Sequence, residues 1–319
     1  MSPSTLLYII LGISIISYLF DQALDYLNLT AQRKDIPAEV AEFYDQQKYL
    51  KSLDYHREQT NFGFLTAAFG FVLSLLMLLF GGFGMLDQLL RNYLQNDISL
   101  ALVFFGIVVF ISDLLTLPFQ LHSTFVIEEK YGFNKTTVKT FITDKLKGYV
   151  LGAIIGGVLI AVLIMLIQKI GPNFWIWFGT IAALFMLLVN MFYTSLFLPL
   201  FNKLTPLQEG ELKSAIEAFA KKVSFRLDNI YIMDGSKRAK KANAFFSGIG
   251  KKKNIVLYDT LISNHSTEEL VAVLAHEVGH FKKKHIILSY IISVVQVFFM
   301  LFVLSRIVFN ENLSFALGG

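Results

Sequence analysis

The sequence predicts an all-α membrane helical bundle of six spans that carries one small α+β domain. Three observations predict it. Hydrophobic residues make up 55% of the 319 positions, and mean hydropathy is +0.57, whereas an ordinary soluble domain is about 45–50% apolar. The excess is gathered into six long apolar runs rather than scattered. Only residues 201–285 form a stretch long and polar enough to fold outside lipid.

The apolar runs lie at about 5–20, 62–86, 99–119, 150–167, 174–200 and 286–309. Most reach the ~20 residues a helix needs to cross the hydrocarbon layer. The first is the shortest. It has no basic leader and no small-residue cleavage pattern before Asp21, so a retained span is expected rather than a signal peptide. Net charge is +4, and its distribution speaks against a nucleic-acid partner. Arg33, Lys34, Lys48, Lys51 and Arg57 fall between runs one and two, and Lys130, Lys135, Lys139, Lys145 and Lys147 follow run three. The intervening connections carry only Arg91 and Lys169. This alternation predicts cytoplasmic odd-numbered loops and an outside N-terminus. Trp175 and Trp177 are expected in the outer aromatic belt. The lysine triplets at 251–253 and 282–284 then suit solvent or lipid headgroups. Asp113 and Asn190 lie inside apolar runs, where polar groups usually face a cavity or a partner. Gly152 and Gly156 match small-residue helix packing. The chain has no cysteine, which excludes disulfides, thiolate metal ligands and a cysteine nucleophile.

This divides the chain into a bundle (1–200), a polar domain on the cytoplasmic side (201–285), and a sixth span with an outer tail (286–319). Within the domain, residues 209–223 have helical spacing, with Leu212, Ile216, Phe219 and Val223 on one face. Residues 230–233, 243–247 and 255–258 read as strands of a small antiparallel sheet, the last two joined through Gly248, Gly250 and a lysine-rich turn. The next helix announces its start: Ser266 and Glu269 form a capping box. Glu268 and Glu269 suit its positive end, and the lysines at 282–284 its negative end. Val271, Ala272, Val273, Leu274, Ala275 and Val278 predict a largely buried helix that runs straight into the sixth span at Ile286.

That helix carries His276-Glu277-Val278-Gly279-His280. Imidazoles four residues apart lie on one helix face and can share a metal ion. The glutamate between them is placed to act as general base toward a water activated by that ion. The reading is a single zinc ion held by His276 and His280, with Glu277 catalytic. A catalytic zinc takes three protein ligands and keeps one position open. No local pattern supplies the third. His285 stands five residues past His280, well round a continuous helix, and reads as a histidine that supports a metal ligand or lies at the membrane interface. Glu311 would lie ~45 Å away along such a helix. The chain has no Gly-x-Ser-x-Gly elbow and no phosphate-binding Walker loop.

Four stretches make the sequence resemble the type I CAAX prenyl endopeptidases, multi-span gluzincins of the membrane. They are FVIEEKYGFN at 125–134, PLFNKLTPL at 199–207, NAFF at 243–246 leading to IVLYDTL at 255–261, and TEELVAVLAHEVGH at 267–280. The resemblance runs over essentially the whole length in the family's order. It implies a zinc metalloendopeptidase that releases C-terminal tripeptides from prenylated proteins, or cuts other peptides where prenylation is absent. It implies seven spans around a water-filled chamber, the seventh beyond residue 319, and a third zinc ligand from a later Glu-x-x-x-Asp motif. It also implies extended substrate bound beside an edge strand, at positions matching Asn243, Ala244 and Phe245. A monomer is expected, in a bacterial inner membrane or, in a eukaryote, the endoplasmic reticulum. The competing class is a non-catalytic, chamber-forming membrane scaffold with an incomplete metal site.

Overall fold

The computed structural model describes residues 1–225, 227, 229–247 and 254–319. Among the described residues, five helical stretches are long and apolar enough to cross a membrane: Pro3–Thr30, Gln46–Leu79, Asp97–Lys130, Val138–Phe201 and His285–Ile307. The six apolar runs fall within five stretches because runs four and five share one. That stretch has 64 residues, roughly 96 Å if straight, three times the hydrocarbon thickness. A 3₁₀ turn at Gly171–Asn173, with Gly171 at φ +67°, divides it into helices Val138–Ile170 and Phe174–Phe192. Run two differs at both edges. The helix of run two starts at Gln46, inside the polar segment before it, and ends at Leu79 before the left-handed Gly81. Large apolar side chains such as Ile13 (64%), Val109 (63%) and Phe299 (66%) stand open, as a lipid-facing surface requires.

The described residues form two compact units. The first comprises Met1–Gly132, Gly152–Lys169 and Arg306–Gly319. Aromatic contacts hold it together: Tyr18 stacks on Phe71 at 4.1 Å, and Phe69 packs on Phe119 at 5.0 Å. Glu58 accepts hydrogen bonds from Lys130 (2.6 Å) and the Tyr131 hydroxyl (2.7 Å), so residues of the 125–134 stretch are tied to the second span. Asp113 finds its partner on its own helix, accepting from Gln120 Nε2 at 3.0 Å. Gly152 and Gly156 do not make the close packing expected of them: nothing among the described residues lies within 4 Å of a Cβ built at either.

The second unit comprises Phe133–Leu151 and Ile170–Ser305. Its sheet has four strands, β1 (Leu204–Pro206), β2 (Asn229–Met233), β3 (Ala244–Ser247) and β4 (Asn254–Tyr258), in the order β1-β2-β4-β3. β1–β2 and β3–β4 are antiparallel, but β2 and β4 run parallel, with Ile230 opposite Ile255. The all-antiparallel expectation is therefore corrected. The chain leaves β2 through a 3₁₀ turn at Gly235–Lys237, forms β3 at the edge, and returns as β4 between β3 and β2. The lysine-rich turn expected between β3 and β4 lies outside the described residues.

Side chains alternate across this sheet. Ile230, Ala244, Ile255 and Leu257 face the helices Glu211–Lys222 and Thr267–Lys282, joining Ile216, Leu270, Leu274 and Val278 in the main core. Met233, Val256 and Phe245 face the other way, against Leu198. A second anchor holds the segment after β2. Arg238 donates to both carboxylate oxygens of Asp144 (2.7 and 3.0 Å), and to the Phe201 carbonyl (2.7 Å). Each partner's side chain is 25% exposed, so the pair is shielded but not dry. Arg238→Ala is expected to leave Asp144 without this fork and to cost about 2 kcal/mol. The measurement is a thermal melt of the purified protein, with a drop of roughly 4–8 °C expected.

Candidate functional site

The motif helix (Thr267–Lys282) begins with the capping box read from the sequence: Ser266 Oγ accepts from Glu269 N, and Glu269 Oε2 accepts from Ser266 N at 2.8 Å. Leu270, Leu274 and Val278, each at most 3% exposed, form its buried stripe. The expectation of a largely buried helix is corrected: Ala272, His276 and His280 lie on an open face. The sheet covers only one side; the histidine side borders a cavity.

The two motif imidazoles converge. His276 Nε2 and His280 Nε2 stand 2.9 Å apart. Two nitrogens bound at 2.0–2.1 Å to one tetrahedral zinc would lie roughly 3.3 Å apart, so the rings need to open only slightly for both to reach one ion. Among the described residues no group of three His, Cys, Asp or Glu is arranged to hold a metal.

His285 is not where a continuous helix would put it. The motif helix ends at Lys282, Lys284 takes a left-handed φ of 58°, and a new helix starts at His285. This break turns the His285 ring back, with its Nδ1 2.8 Å from His280 Nδ1. The straight run into the sixth span is thus corrected. No glycine or proline marks the break; the lysines at 282–284 were the only sequence signal for a helix end here.

A cavity of about 490 Å³ opens on this face, lined by Glu277, His280 and His285, by Phe245 and Phe246 of β3, by Met186 and Asn190, and by Phe281, Ile286, Ser289, Tyr290 and Ser293. Glu277 is half-buried at its wall. Helices Phe174–Phe192 and His285–Ile307 frame it as an antiparallel pair. Trp175 packs edge-on to Phe302 at 5.3 Å, and the Tyr290 hydroxyl donates to the Ala183 carbonyl at 3.0 Å. At Gly179 a Cβ would meet the Phe298 ring, so only glycine permits this approach. Trp175 thus turns toward the helix His285–Ile307, whereas Trp177 is 59% exposed. Asn190, singled out as a polar residue in an apolar run, does line a cavity, and its Nδ2 donates to the Met186 carbonyl at 2.8 Å. Sequence reasoning missed Ser289, Tyr290 and Ser293. Their signal was present: His285, Ser289 and Ser293 recur every four residues, a polar stripe along one face of an apolar span.

β3 is the sheet edge beside this cavity. Tyr258 N donates to the Asn243 carbonyl at 3.0 Å, so the antiparallel alternation turns the backbone groups of Ala244 and Phe246 toward the open side. Asn243 Oδ1 accepts from Ala244 N at 2.9 Å, fixing the start of the strand. Asn243 also contacts the Tyr258 hydroxyl, whose pKa is raised, chiefly by burial. Phe246 was not among the expected substrate contacts, yet both its ring and its outward backbone belong to this wall.

A bundle of apolar helices with a His-Glu-x-x-His helix packed under a sheet edge defines a membrane-embedded peptidase. The N-terminal CAAX prenyl protease model with five membrane helices matches residues 25–203, and the model of peptidase family M48 matches residues 206–318. The probable CAAX prenyl protease 1 of Schizosaccharomyces pombe is 37% identical, over 96% of this chain and 67% of its own length. The CAAX prenyl protease 1 of Saccharomyces cerevisiae is 33% identical, over 95% of this chain and 70% of its own. The crystal structure of S. mikatae Ste24p superposes with a TM-score of 0.86 at 34% identity, over 94% of this chain and 72% of that one. The chain belongs to the CAAX prenyl protease family of M48 peptidases, and it is a multi-pass membrane protein.

Proposed function

We propose that this protein is a zinc metalloendopeptidase that releases the C-terminal tripeptide of prenylated CAAX proteins, with its active site on the cytoplasmic side of the membrane. The observation that carries the proposal is the convergence of the His276 and His280 nitrogens at 2.9 Å, with His280, Glu277 and an open sheet edge lining one cavity. His276 and His280 would hold the ion, and the third ligand would be the glutamate of the Glu-x-x-x-Asp motif implied by the resemblance. When bound, zinc supplies a Lewis acid that polarises the scissile carbonyl and eases deprotonation of water. Glu277 takes the proton of the attacking water and returns it to the leaving amine. The Ala244 carbonyl and the backbone groups of Phe246 would be offered to an extended peptide, which fixes its register with little demand on its side chains. Lipid meets the apolar outer faces of the helices, and the protein acts as a monomer. In the endoplasmic reticulum the substrates would be prenylated proteins; in a bacterial inner membrane without prenylation they would be other peptides. Residues 201–285 supply the catalytic domain, and 1–200 with 286–319 supply the surrounding bundle.

The test is tripeptide release from a farnesylated CAAX peptide, followed by mass spectrometry with purified protein in detergent or liposomes. Cleavage is expected to stop with a chelator and to return with zinc. Cleavage that persists in metal-free buffer would remove the zinc from the proposal. Equal rates on the unprenylated peptide would remove the lipid tail. A subtler result is expected at the strand: Asn243→Ala removes the bond to Ala244 N that fixes the start of the edge strand, and should raise KM roughly fivefold with kcat unchanged. A loss confined to kcat would refute its role at the strand.

A further inference from the structure

We propose that His285 is the positioning residue for the metal ligand His280, accepting a hydrogen bond from its Nδ1–H and so fixing both its tautomer and its ring orientation. The inference rests on the zinc proposal above and adds a role for a residue outside the motif. The geometry behind it is a line of three imidazoles. His280 has one nitrogen 2.9 Å from His276 Nε2, and its other nitrogen is 2.8 Å from His285 Nδ1. The rings of His280 and His285 meet at 68° with centroids 4.9 Å apart, an edge-on approach suited to an in-plane hydrogen bond rather than to stacking.

The two nitrogens of an imidazole point to opposite sides of its ring. His280 therefore cannot present Nε2 to an ion shared with His276 and also share that ion with His285, which faces Nδ1. His285 lies on the side of His280 away from such an ion and so is not the missing third ligand. What remains for it is chemically defined. A neutral imidazole that binds metal through Nε2 must carry its proton on Nδ1, and a metal-bound histidine characteristically donates that other N–H to a nearby acceptor. His285 Nδ1 is that acceptor. Its own Nε2 then carries the proton and faces away from His280.

The fold is built to deliver this contact. On a continuous helix, position 285 would sit well round from position 280. The left-handed Lys284 breaks the motif helix, and His285 opens the next one, at the head of the polar stripe that continues through Ser289 and Ser293 along the cavity wall. A lysine in a left-handed conformation is unfavourable by about 1 kcal/mol relative to glycine. The break is thus retained at some cost, and its structural product is the His280–His285 contact.

The experiment measures zinc affinity of the purified full protein by chelator competition, for His280→Ala, His285→Ala, His285→Phe and His285→Asn. Asparagine keeps an acceptor oxygen near the place of Nδ1; phenylalanine keeps the ring and loses the acceptor. His285→Ala and His285→Phe are expected to bind zinc about 10–100-fold more weakly, and His285→Asn within about threefold of the parent. A melt of each zinc-stripped variant separates loss of affinity from loss of fold, and the Phe–Asn pair carries the comparison should the alanine variant not fold. Unchanged affinity in His285→Phe overturns the proposal, as does equal weakening in His285→Asn. Retention of stoichiometric zinc by His280→Ala would instead overturn the underlying zinc proposal, so the two failures are told apart.

Discussion

Glutamine in place of Glu277 is expected to slow tripeptide release about 10²–10⁴-fold while zinc content stays at the parental level. The change is nearly isosteric. It keeps the half-buried side chain at the cavity wall and removes only the capacity to accept a proton. Helix geometry separates its duty from that of its neighbours. Leu274 and Val278 point into the core, His276 and His280 converge on each other, and Glu277 opens to the cavity beside His280. A carboxylate there can move a proton between water and the leaving amine without joining the metal pair. The check pairs single-turnover cleavage with elemental analysis of the same sample. Parental cleavage would remove Glu277 from the chemistry. If cleavage and zinc are lost together, the side chain holds the site instead of acting as base. A non-catalytic scaffold, the competing reading of the sequence, requires the parent itself to show no cleavage that Glu277→Gln can abolish.

The parts of this site that were legible in the sequence are those fixed by local geometry. A four-residue histidine spacing converges on any α-helix, and Ser266 with Glu269 fixes where that helix begins, whatever packs around it. The spans were legible because hydrocarbon tolerates only long apolar helices. What escaped depends on contacts between segments distant in sequence or on unmarked backbone. The parallel β2–β4 pairing arises because β3 occupies the edge and leaves β4 to fill the centre, a choice of partner that alternating side chains do not encode. The short β1 is too brief to give a period, and the short helix Asp259–Asn264 after β4 gave no separate signal. Trp175 turns inward because Gly179, one helical turn on, admits the Phe298 ring and draws the two helices together. The break at Lys284 is the costliest omission, since it decides where His285 points.

The second large effect is expected from His280→Ala: zinc affinity should fall roughly 10²–10⁴-fold and cleavage should vanish, while the metal-free fold stays intact. Zinc binding at a protein site is worth about 10–16 kcal/mol, so one ligand of three carries about a third of it. The fold is spared because His280 is exposed and contributes nothing to the core that holds its helix. Leu274, six residues earlier on the same helix, is the opposite case. It is 1% exposed within that core, and Leu274→Ala should cost about 2–5 kcal/mol of stability by leaving a cavity. Measured together, zinc affinity and the melting temperature of the zinc-stripped protein should move independently: affinity alone for His280→Ala, stability first for Leu274→Ala. That independence follows from the buried stripe at 270, 274 and 278 and the open face at 276 and 280, which share one helix without sharing a side of it. A metal-free His280→Ala protein that melts like Leu274→Ala would mean that the imidazole pair is part of the packing, and the division of the helix into a structural face and a chemical face would be wrong.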